Sequence, residues 1–222
     1  MGHQQPKSTT EALPLLRRIV SFDATVSLYI HTLTRPIAYR PFLRLLELFA
    51  DFRFFFPVSL SVFLATPSSS PLRSQLLLPL ILGSLLDLLF IALLKFLVRR
   101  SRPSYSNHDE YNAVVPVDNF SFPSGHSSRV VFIASIFYLS HHWIIDAIAN
   151  LHHPRVAMLI RRWIGGDEVM AVNLLVAAVW SWALATVISR VVLGRHYVLD
   201  VFFGACFGVL EAMFTLRFLK FL

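Results

Sequence analysis

Cysteine, charge and glycine are all scarce in this chain, and each shortage excludes a class of protein. The 222 residues include one cysteine, Cys206, so no internal disulfide can support the fold. Charged residues make up 15%, against about 25% in a typical soluble domain. The eight glycines and twelve prolines follow no period, which excludes a collagen-like chain. Apolar residues are abundant instead, at 55% with a mean hydropathy of +0.61. The composition argues against a water-soluble globule.

The net charge of +7 indicates an anionic partner. A basic chain ordinarily suggests nucleic acid. Here the positive residues lie between long apolar runs, which favours anionic lipid or an anionic lipid substrate. We therefore expect membrane lipid among the partners and no nucleic acid, while the sequence leaves the oligomeric state open.

Five apolar runs predict an all-α, multi-pass transmembrane helical bundle. Val169–Ile188 has no charged residue over twenty positions, about the length that crosses the hydrocarbon core of a bilayer. Gln75–Leu94 is interrupted only by Asp87. The other candidates are Val130–Ile145, Val198–Leu216, and Phe54–Thr66 if the same helix extends back through Pro41–Arg53. Buried helices of soluble proteins rarely stay uncharged for so long.

The chain is expected to divide into a polar leader, residues 1–20, and one transmembrane domain, residues 21–222. Residues 1–12 are mostly polar, and Pro14, Arg17 and Arg18 interrupt the apolar residues that follow. This pattern lacks the continuous apolar segment of a secretory signal. Ser21–Leu33 mixes polar and apolar positions, which predicts an interfacial helix or a further span within Ser21–Tyr39.

The first of three polar blocks at the membrane edges is residues 95–103, KFLVRRSRP. If the preceding helix continues through it, Lys95 and Arg102 lie two turns apart on one face, and Pro103 ends the helix. An ammonium and a guanidinium on one face can hold a tetrahedral oxyanion. The alternative is a positive cluster that only fixes the orientation of the helix in the membrane.

The second block, residues 123–126, has the sequence PSGH and precedes the third apolar run. Pro123 and Ser124 are typical of a helix start, and Gly125 allows a ligand to approach the backbone closely. The N–H groups at a helix N-terminus bind phosphate, and His126 at that position can give a proton to a leaving oxygen. The alternative is an ordinary helix cap with an incidental histidine.

The third block, residues 189–200, is SRVVLGRHYVLD. His196 and Asp200 are four residues apart, which predicts that they share a helical face. Asp200 would then accept a hydrogen bond from one ring nitrogen and leave the other nucleophilic. Arg190 offers a further phosphate contact, and Gly194 permits a close turn. A purely structural His–Asp pair is the alternative.

In order, the blocks read K-x6-RP, PSGH and SR-x5-H-x3-D, a pattern that resembles the type 2 phosphatidic acid phosphatase superfamily over Gln75–Leu216. That superfamily includes lipid phosphate phosphatases, glucose-6-phosphatase and the vanadium haloperoxidases. The run from Phe120 to His126 and the few spans before the first block make the chain most similar to the polyisoprenoid (presqualene) diphosphate phosphatases. Plant lipid phosphate phosphatases have a similar short architecture, so this branch is not the only one that fits.

The resemblance implies a role for each matching position. His196 corresponds to the nucleophile that forms a phosphohistidine, Asp200 to the residue that orients it, and His126 to the acid that protonates the leaving group. The implied phosphate-binding residues are Lys95, Arg102, Ser124, Gly125 and Arg190. The resemblance implies no metal or other cofactor, and the sequence has no HExxH or CxxC pattern.

These observations predict an integral-membrane, metal-independent phosphohydrolase of lipid phosphates or diphosphates, with polyprenyl diphosphate favoured. Phosphatidate and sphingoid-base phosphates are the alternatives within the superfamily. A non-enzymatic transporter, using Asp87 and Glu211 inside the apolar runs, or an inactive scaffold is the alternative from another class. The three blocks must lie on one side of the membrane; which side stays open. The resemblance implies the endoplasmic reticulum membrane.

Overall fold

The structure is a computed structural model that describes residues 9–105, 119–149 and 167–218, together with the isolated positions 158, 162 and 165. Within this part of the chain every regular element is a helix, apart from one antiparallel bridge between Ser101 and Phe120. The prediction of an all-α fold is confirmed. Residues 1–8 of the expected leader and most of the two longest connections lie outside the described residues.

Eight α-helices are described. In chain order they are α1 (Thr9–Thr34), α2 (Arg40–Phe49), α3 (Phe52–Ala65), α4 (Leu78–Val98), α5 (Gly125–Leu139), α6 (His141–Ala149), α7 (Glu168–Val192) and α8 (Val198–Phe218). A π-helical turn, Arg73–Leu77, leads directly into α4.

The candidate membrane spans coincide with the five apolar runs. Arg73–Val98, α7 and α8 are each long and apolar enough to cross a bilayer, judged over the described residues. The α2–α3 and α5–α6 pairs also qualify if each is counted as one span, bent by 48° and 59°. The bend between α2 and α3 coincides with Asp51, whose side chain accepts from the backbone N–H of Arg53 and so caps α3. The run that begins at Phe54 does extend back through Pro41–Arg53, as expected, but as two helices with a bend between them and not as one helix.

The N-terminal helix is longer than the composition indicates. α1 begins at Thr9 and so covers much of the segment predicted as a polar leader, while the division of the chain at residue 20 stays a prediction. Glu11, Ala12 and Leu13 are strong helix formers, so a polar composition did not keep this segment out of a helix. α1 is not among the candidate spans, and it packs against α7 and α8.

Helix α5 lies at the centre of the bundle, in contact with α4, α7 and α8. Val130, Phe132 and Ile136 on this helix have no exposed surface. Gly204 and Gly208, one turn apart on α8, leave no room for a Cβ against the carbonyl oxygens of Ser124 and Ser128 on α5. Small residues at this spacing allow two membrane helices to pack with their backbones close together. The close packing brings the N-terminal ends of α5 and α8 side by side, where the second and third blocks lie.

Candidate active site

The first block does not continue α4 as the sequence predicts. The helix ends at Val98 because Arg99 takes the left-handed conformation, with φ 51°. Lys95 lies in the last turn of α4, whereas Arg102 lies beyond the helix, in the segment next to the Ser101–Phe120 bridge. The expectation that Lys95 and Arg102 share a helical face is therefore wrong. The two residues reach the same site from a helix and from a loop.

Direct hydrogen bonds join the three blocks. The N–H of Ser121 donates to the carbonyl oxygen of Arg100 (2.8 Å), which ties the second block to the first. The N–H of Ser124 donates to the carbonyl oxygen of Asp200 (2.9 Å). Nη1 of Arg102 donates to the carbonyl oxygen of Arg195 (3.0 Å). The blocks therefore lie on one side of the bundle, as a shared site requires.

His196 lies in the turn between α7 and α8. Gly194 has φ 71°, and the N–H groups of Arg195 and His196 both donate to the carbonyl oxygen of Arg190. The ring nitrogen Nδ1 of His196 is 2.8 Å from the carbonyl oxygen of Ser121. Because a carbonyl oxygen can only accept, Nδ1 carries the proton and Nε2 of the neutral ring holds a lone pair. The atom of the ring that remains available to a ligand is therefore Nε2.

Asp200 is a neighbour of His196 but not its hydrogen-bond acceptor. Oδ2 of Asp200 is 3.8 Å from Nδ1 of His196, too far for a hydrogen bond. Its carboxylate instead accepts from Nη1 of Arg100 (2.7 Å) and from the N–H of Tyr197 (2.9 Å). The prediction that Asp200 accepts from the ring is wrong because His196 precedes the first residue of α8 and is not on the same helical face.

Helix α1 stabilises the start of α8 through a buried ionic network. Arg100 bridges two carboxylates, Asp200 and Asp23, at 2.7 Å each. Asp23 also accepts from the N–H of Leu199 (3.0 Å), and Oγ of Ser27 accepts from the N–H of Val198 (2.9 Å). The first N–H groups of a helix have no acceptor within the helix, so α1 satisfies those of α8. The segment that follows His196 is thereby anchored to α1.

Replacing Asp23 with asparagine, or Ser27 with alanine, should weaken this anchor. Losing a hydrogen bond to a charged group costs about 2 kcal/mol, which corresponds to a fall in the unfolding midpoint of about 4–8 °C for Asp23→Asn. We expect the turnover rate to fall with it, because Asp23→Asn loses the charge that pairs with Arg100 and Ser27→Ala removes the acceptor of the N–H of Val198. Thermal unfolding and hydrolysis rates of detergent-solubilised protein measure both effects.

Ser21→Ala is the matched control, because Ser21 is exposed and its hydroxyl donates to the carbonyl oxygen of Arg18 within α1. Equal behaviour of Ser27→Ala and Ser21→Ala would contradict the anchoring role of α1.

Cations surround the His196 ring. The side chain is 1% exposed, and burial lowers the pKa of His196 well below its usual value of 6.5. The nearby charges of Arg102, Arg190 and Lys95 lower this pKa further. The charges of the three predicted phosphate-binding cations therefore act on one imidazole, and the ring stays neutral at neutral pH.

The lowered pKa predicts that His196 keeps its lone pair in mildly acidic solution. A histidine whose pKa lies below 6.5 stays neutral as the pH falls through 6.5 and becomes protonated only under more acidic conditions. The ¹⁵N chemical shift of the His196 ring, assigned by its loss in His196→Gln, should therefore not change between about pH 7.5 and 6.5. Free histidine in the same buffer, which titrates near 6.5, is the reference. A midpoint for His196 at or above 6.5 would contradict this electrostatic account.

Arg190 is fully buried and has one end of its guanidinium anchored. Nη1 pairs with Oε1 of Glu47 on α2 at 2.9 Å. Nε and Nη2 have no hydrogen-bond acceptor among the described residues. Unpaired buried donors are costly, and a guanidinium edge matches two oxygens of a phosphate. The Nε–Nη2 edge of Arg190 is thus the best-defined donor pair for a phosphate oxyanion in the site.

The second block provides the N-terminus of α5. Ser124 is its N-cap, and the hydroxyl accepts from the N–H and the Oγ of Ser127. Gly125 and His126 are the first two residues of the helix, where backbone N–H groups lack acceptors within the helix. Nε2 of His126 is shielded from solvent and has no hydrogen-bond partner among the described residues. The predicted proton donor therefore has an unused ring nitrogen at a helix end that favours anions.

Four residues that position the site were missed by the sequence reasoning: Asp23, Glu47, Arg100 and Ser121. Arg100 was assigned only to the positive cluster next to the first block. Its partners are 77 and 100 residues away in the chain. No local spacing indicates such contacts, although a carboxylate such as Glu47 near the end of an apolar segment is a signal worth following.

Sequence comparisons give a family match and a similar curated protein. A family model described as the PAP2 superfamily matches residues 76–222. The chain is 48% identical over 206 residues, 91% of each sequence, to the "Probable lipid phosphate phosphatase beta" of Arabidopsis thaliana.

Two solved structures share the fold. One is the first transmembrane PAP2-type phosphatidylglycerolphosphate phosphatase from Bacillus subtilis, with a TM-score of 0.62, 20% identity, and coverage of 92% of this chain and 88% of that one. The other is LpxE of Aquifex aeolicus, with a TM-score of 0.51, 20% identity, and coverage of 86% and 94%. At this level of identity the structures show a shared transmembrane architecture.

Proposed function

Because the chain belongs to the PAP2 (type 2 phosphatidic acid phosphatase) superfamily, we propose that it is an integral-membrane phosphohydrolase that removes phosphate from lipid phosphates. The lipid chain would stay in the bilayer, while its phosphate reaches the cations at the membrane edge. The name of the Arabidopsis relative supports this activity.

One observation carries the mechanism: Nδ1 of His196 donates to the carbonyl oxygen of Ser121, which leaves Nε2 as a nucleophile. Nε2 attacks phosphorus, so that a P–N bond forms as the P–O bond to the lipid breaks. The leaving oxygen takes the electron pair of that bond and a proton from His126. Water then attacks the phosphohistidine and gives a proton back to His126, the P–N bond breaks to leave a neutral imidazole, and inorganic phosphate leaves.

The cations around His196 can stabilise the charge on the transferring phosphoryl group. Phosphoryl transfer depends mainly on positioning and on fixed positive charge. Lys95, Arg102 and Arg190 supply that charge within the site. We therefore propose that the reaction needs no added divalent cation.

Hydrolysis of a lipid phosphate by the purified protein should survive excess EDTA with little change in kcat. The assay compares rates with and without EDTA, and a Mg²⁺-dependent phosphatase serves as the control for complete chelation. Activity that disappears in EDTA and returns with Mg²⁺ would sink the metal-independent mechanism.

Polyprenyl diphosphate is the favoured substrate class. The FSFPSGH run and the few spans before the first block resemble those of the polyisoprenoid diphosphate phosphatases. The 48% identity to a plant lipid phosphate phosphatase supports phosphatidate or a sphingoid-base phosphate as the alternative. A panel of prenyl diphosphate, phosphatidate and sphingosine phosphate in detergent micelles separates them. A higher kcat/KM for phosphatidate than for prenyl diphosphate would contradict the first choice.

The intramembrane carboxylates, Asp87 and Glu211, give little support to the alternative functions of a transporter or an inactive scaffold. Asp87 forms an ion pair with Arg129 at 3.2 Å, and Glu211 accepts from the hydroxyl of Ser128 at 3.4 Å. These contacts join α4, α5 and α8 inside the bundle, which favours a structural role. Phosphate release that depends on His196 would exclude both alternatives, and its absence with every phosphate tested would favour them.

The endoplasmic reticulum membrane is the proposed location, on the family resemblance alone. A fluorescent fusion that fails to co-localise with a marker of that membrane would reject it.

A further inference from the structure

Helix α1 reverses the usual pattern of an amphipathic helix. The side chains that it turns toward the protein are polar: Asp23, Ser27 and His31 follow one another at intervals of four residues, and all three are buried. They bond to the backbone at the end of α7 and at the start of α8. A helix on the surface of a soluble protein buries its apolar face instead. What covers the apolar side chains of α1 is therefore a separate question.

The apolar side chains of α1 form one continuous stripe on its outer side. They recur at intervals of four and three residues, so they share a helical face. All of them except the half-buried Val26 are more than 40% exposed. The described part of the chain leaves this stripe uncovered from one end to the other. We call the set the outer stripe: Leu15, Ile19, Phe22, Val26, Tyr29 and Leu33.

A third face of α1 is exposed and polar. It carries Arg18, Ser21, Thr25 and Thr32, at intervals of three, four and seven residues. A helix that crossed the bilayer would place these side chains against acyl chains, where the charge of Arg18 is costly. α1 has 26 residues, enough to cross a bilayer, but it is not among the candidate spans. The three faces fit a helix that has protein on one side, lipid on the second and water on the third.

α1 lies across the end of the bundle that carries the candidate site. Asp23 and His31 are about 12 Å apart along the helix axis. Both nevertheless contact the same level of the bundle, because Asp23 bonds to Leu199 in the first turn of α8 and His31 bonds to Val192, the last residue of α7. A helix parallel to α7 and α8 would contact them at different depths. Since both are candidate spans, their ends mark the membrane edge, and α1 lies at that edge.

The lipid-facing surface of the bundle continues up to α1. Ile188 and Phe202 each lie one turn from the helix ends that α1 contacts, and they are 60% and 57% exposed. Acyl chains that cover these two residues also reach the helix beside them. Tyr29 of the outer stripe suits the boundary between acyl chains and headgroups, where tyrosine is enriched. Arg17 and Arg18 are exposed, and their charges attract anionic headgroups. The position of α1 thus favours the bilayer over a second protein chain as the occupant of the outer stripe.

We propose that α1 binds the membrane surface on the side of the candidate site, lying in the plane of the interface with the outer stripe inserted below the headgroups. The bilayer is the partner: acyl chains take the outer stripe, and anionic headgroups take Arg17 and Arg18. The bilayer then also holds in place the helix whose Asp23 and Ser27 anchor the start of α8. This inference concerns membrane binding and does not depend on hydrolysis.

The test measures the depth of spin labels on α1 in the full-length protein. Cys206 is the only cysteine, so a Cys206→Ala background accepts one label at a time. Labels at Leu15, Phe22 and Leu33 report on the outer stripe, and a label at Ser21 reports on the polar face. The protein is placed in nanodiscs of phosphatidylcholine and phosphatidylglycerol, and relaxation by oxygen, which enters lipid, is compared with relaxation by a water-soluble nickel chelate.

We expect all three labels of the outer stripe to respond to oxygen and to lie at one shallow depth, about 5–10 Å below the headgroup boundary. The label at Ser21, next to Phe22 in the chain, should respond to the nickel chelate instead. A label at Leu184, which is exposed on α7 about 12 Å from the end of that helix, is the reference for a deeper position in lipid.

Three results would overturn the proposal. If α1 crosses the bilayer, the labels at Leu15 and Leu33 will differ in depth by up to about 27 Å, the length of helix between them. If a second copy covers the outer stripe, its labels will be shielded from both reagents and will broaden one another's spectra. If α1 stays in water, Phe22 and Ser21 will respond equally to the nickel chelate. None of these readouts uses a substrate, so the failure of the proposed phosphohydrolase function would leave the result standing.

A pair of adjacent substitutions tests the outer stripe itself. Phe22→Asp places a charge in the stripe, and Ser21→Asp places the same charge on the polar face. We expect the label at Ile19 to become shallower and more accessible to the nickel chelate in Phe22→Asp, and to keep its original depth in Ser21→Asp. An unchanged depth in both variants would show that the outer stripe is not inserted in lipid.

Discussion

The His196→Ala variant is expected to lose hydrolysis of every phosphate substrate, by about 10⁴-fold or more in kcat, together with any phosphoenzyme. The reason is that Nδ1 of His196 donates its proton to the carbonyl oxygen of Ser121, so that Nε2 keeps a lone pair for the attack. Rapid mixing with ³²P-labelled substrate, followed by a quench without acid, measures the phosphoenzyme directly. Acid must be avoided because a P–N bond is acid-labile.

His126→Ala separates the two histidines in the same experiment. A nucleophile without its proton donor can still react when the leaving group needs little protonation, so this variant should keep some labelling with an activated aryl phosphate. His142→Ala, at an exposed position on α6, is the control and should behave as the wild type. If labelling survives in His196→Ala and disappears in His126→Ala, then His126 is the nucleophile and His196 the proton donor, the reverse of the proposed roles.

Arg190→Lys is expected to lower kcat by about 10²–10³, although it preserves the charge. An ammonium cannot pair with Glu47 through one nitrogen and present two further donors to a phosphate, as the buried guanidinium does. Vanadate, a mimic of phosphate during transfer, should also inhibit the variant more weakly. Rates and vanadate inhibition constants in one detergent measure both effects.

Arg217→Lys provides the control, because Arg217 is exposed near the far end of α8. Glu47→Gln tests the anchor: it should lower kcat less than Arg190→Lys, and it should lower the unfolding midpoint because it leaves the buried Arg190 without its anionic partner. A kcat for Arg190→Lys within threefold of the wild type would show that Arg190 acts only as a point charge.

The membrane class and the candidate site residues follow from local features of the sequence. The length of an uncharged run decides whether a helix can cross a bilayer, and that length can be counted directly in Val169–Ile188. The spacing of Arg190, His196 and Asp200 within one block likewise needs no distant partner to be recognised. These features predicted the all-α bundle and the residues that meet in the candidate site.

Local patterns failed where an irregular backbone decides the direction of a side chain. The left-handed Arg99 removes Arg102 from the face of α4, and the turn at Gly194 places His196 before α8 begins. A helical spacing rule applied across either position therefore gives the wrong neighbour. Asp200 was expected to bond to His196 for this reason, and it pairs with Arg100 instead.

The sequence by itself determined that the chain is a membrane-embedded helical protein and which residues to consider as a candidate histidine site, because apolar run length and motif spacing are properties of short segments. Only the tertiary structure decided which ring nitrogen of His196 stays available, since the other one donates to the backbone of Ser121, 75 residues away. It also decided that α1 and α2, which precede the residues matched by the family model, contribute Asp23 and Glu47 to the site. A buried charge needs a partner, and the packing of distant helices decides which residue supplies it.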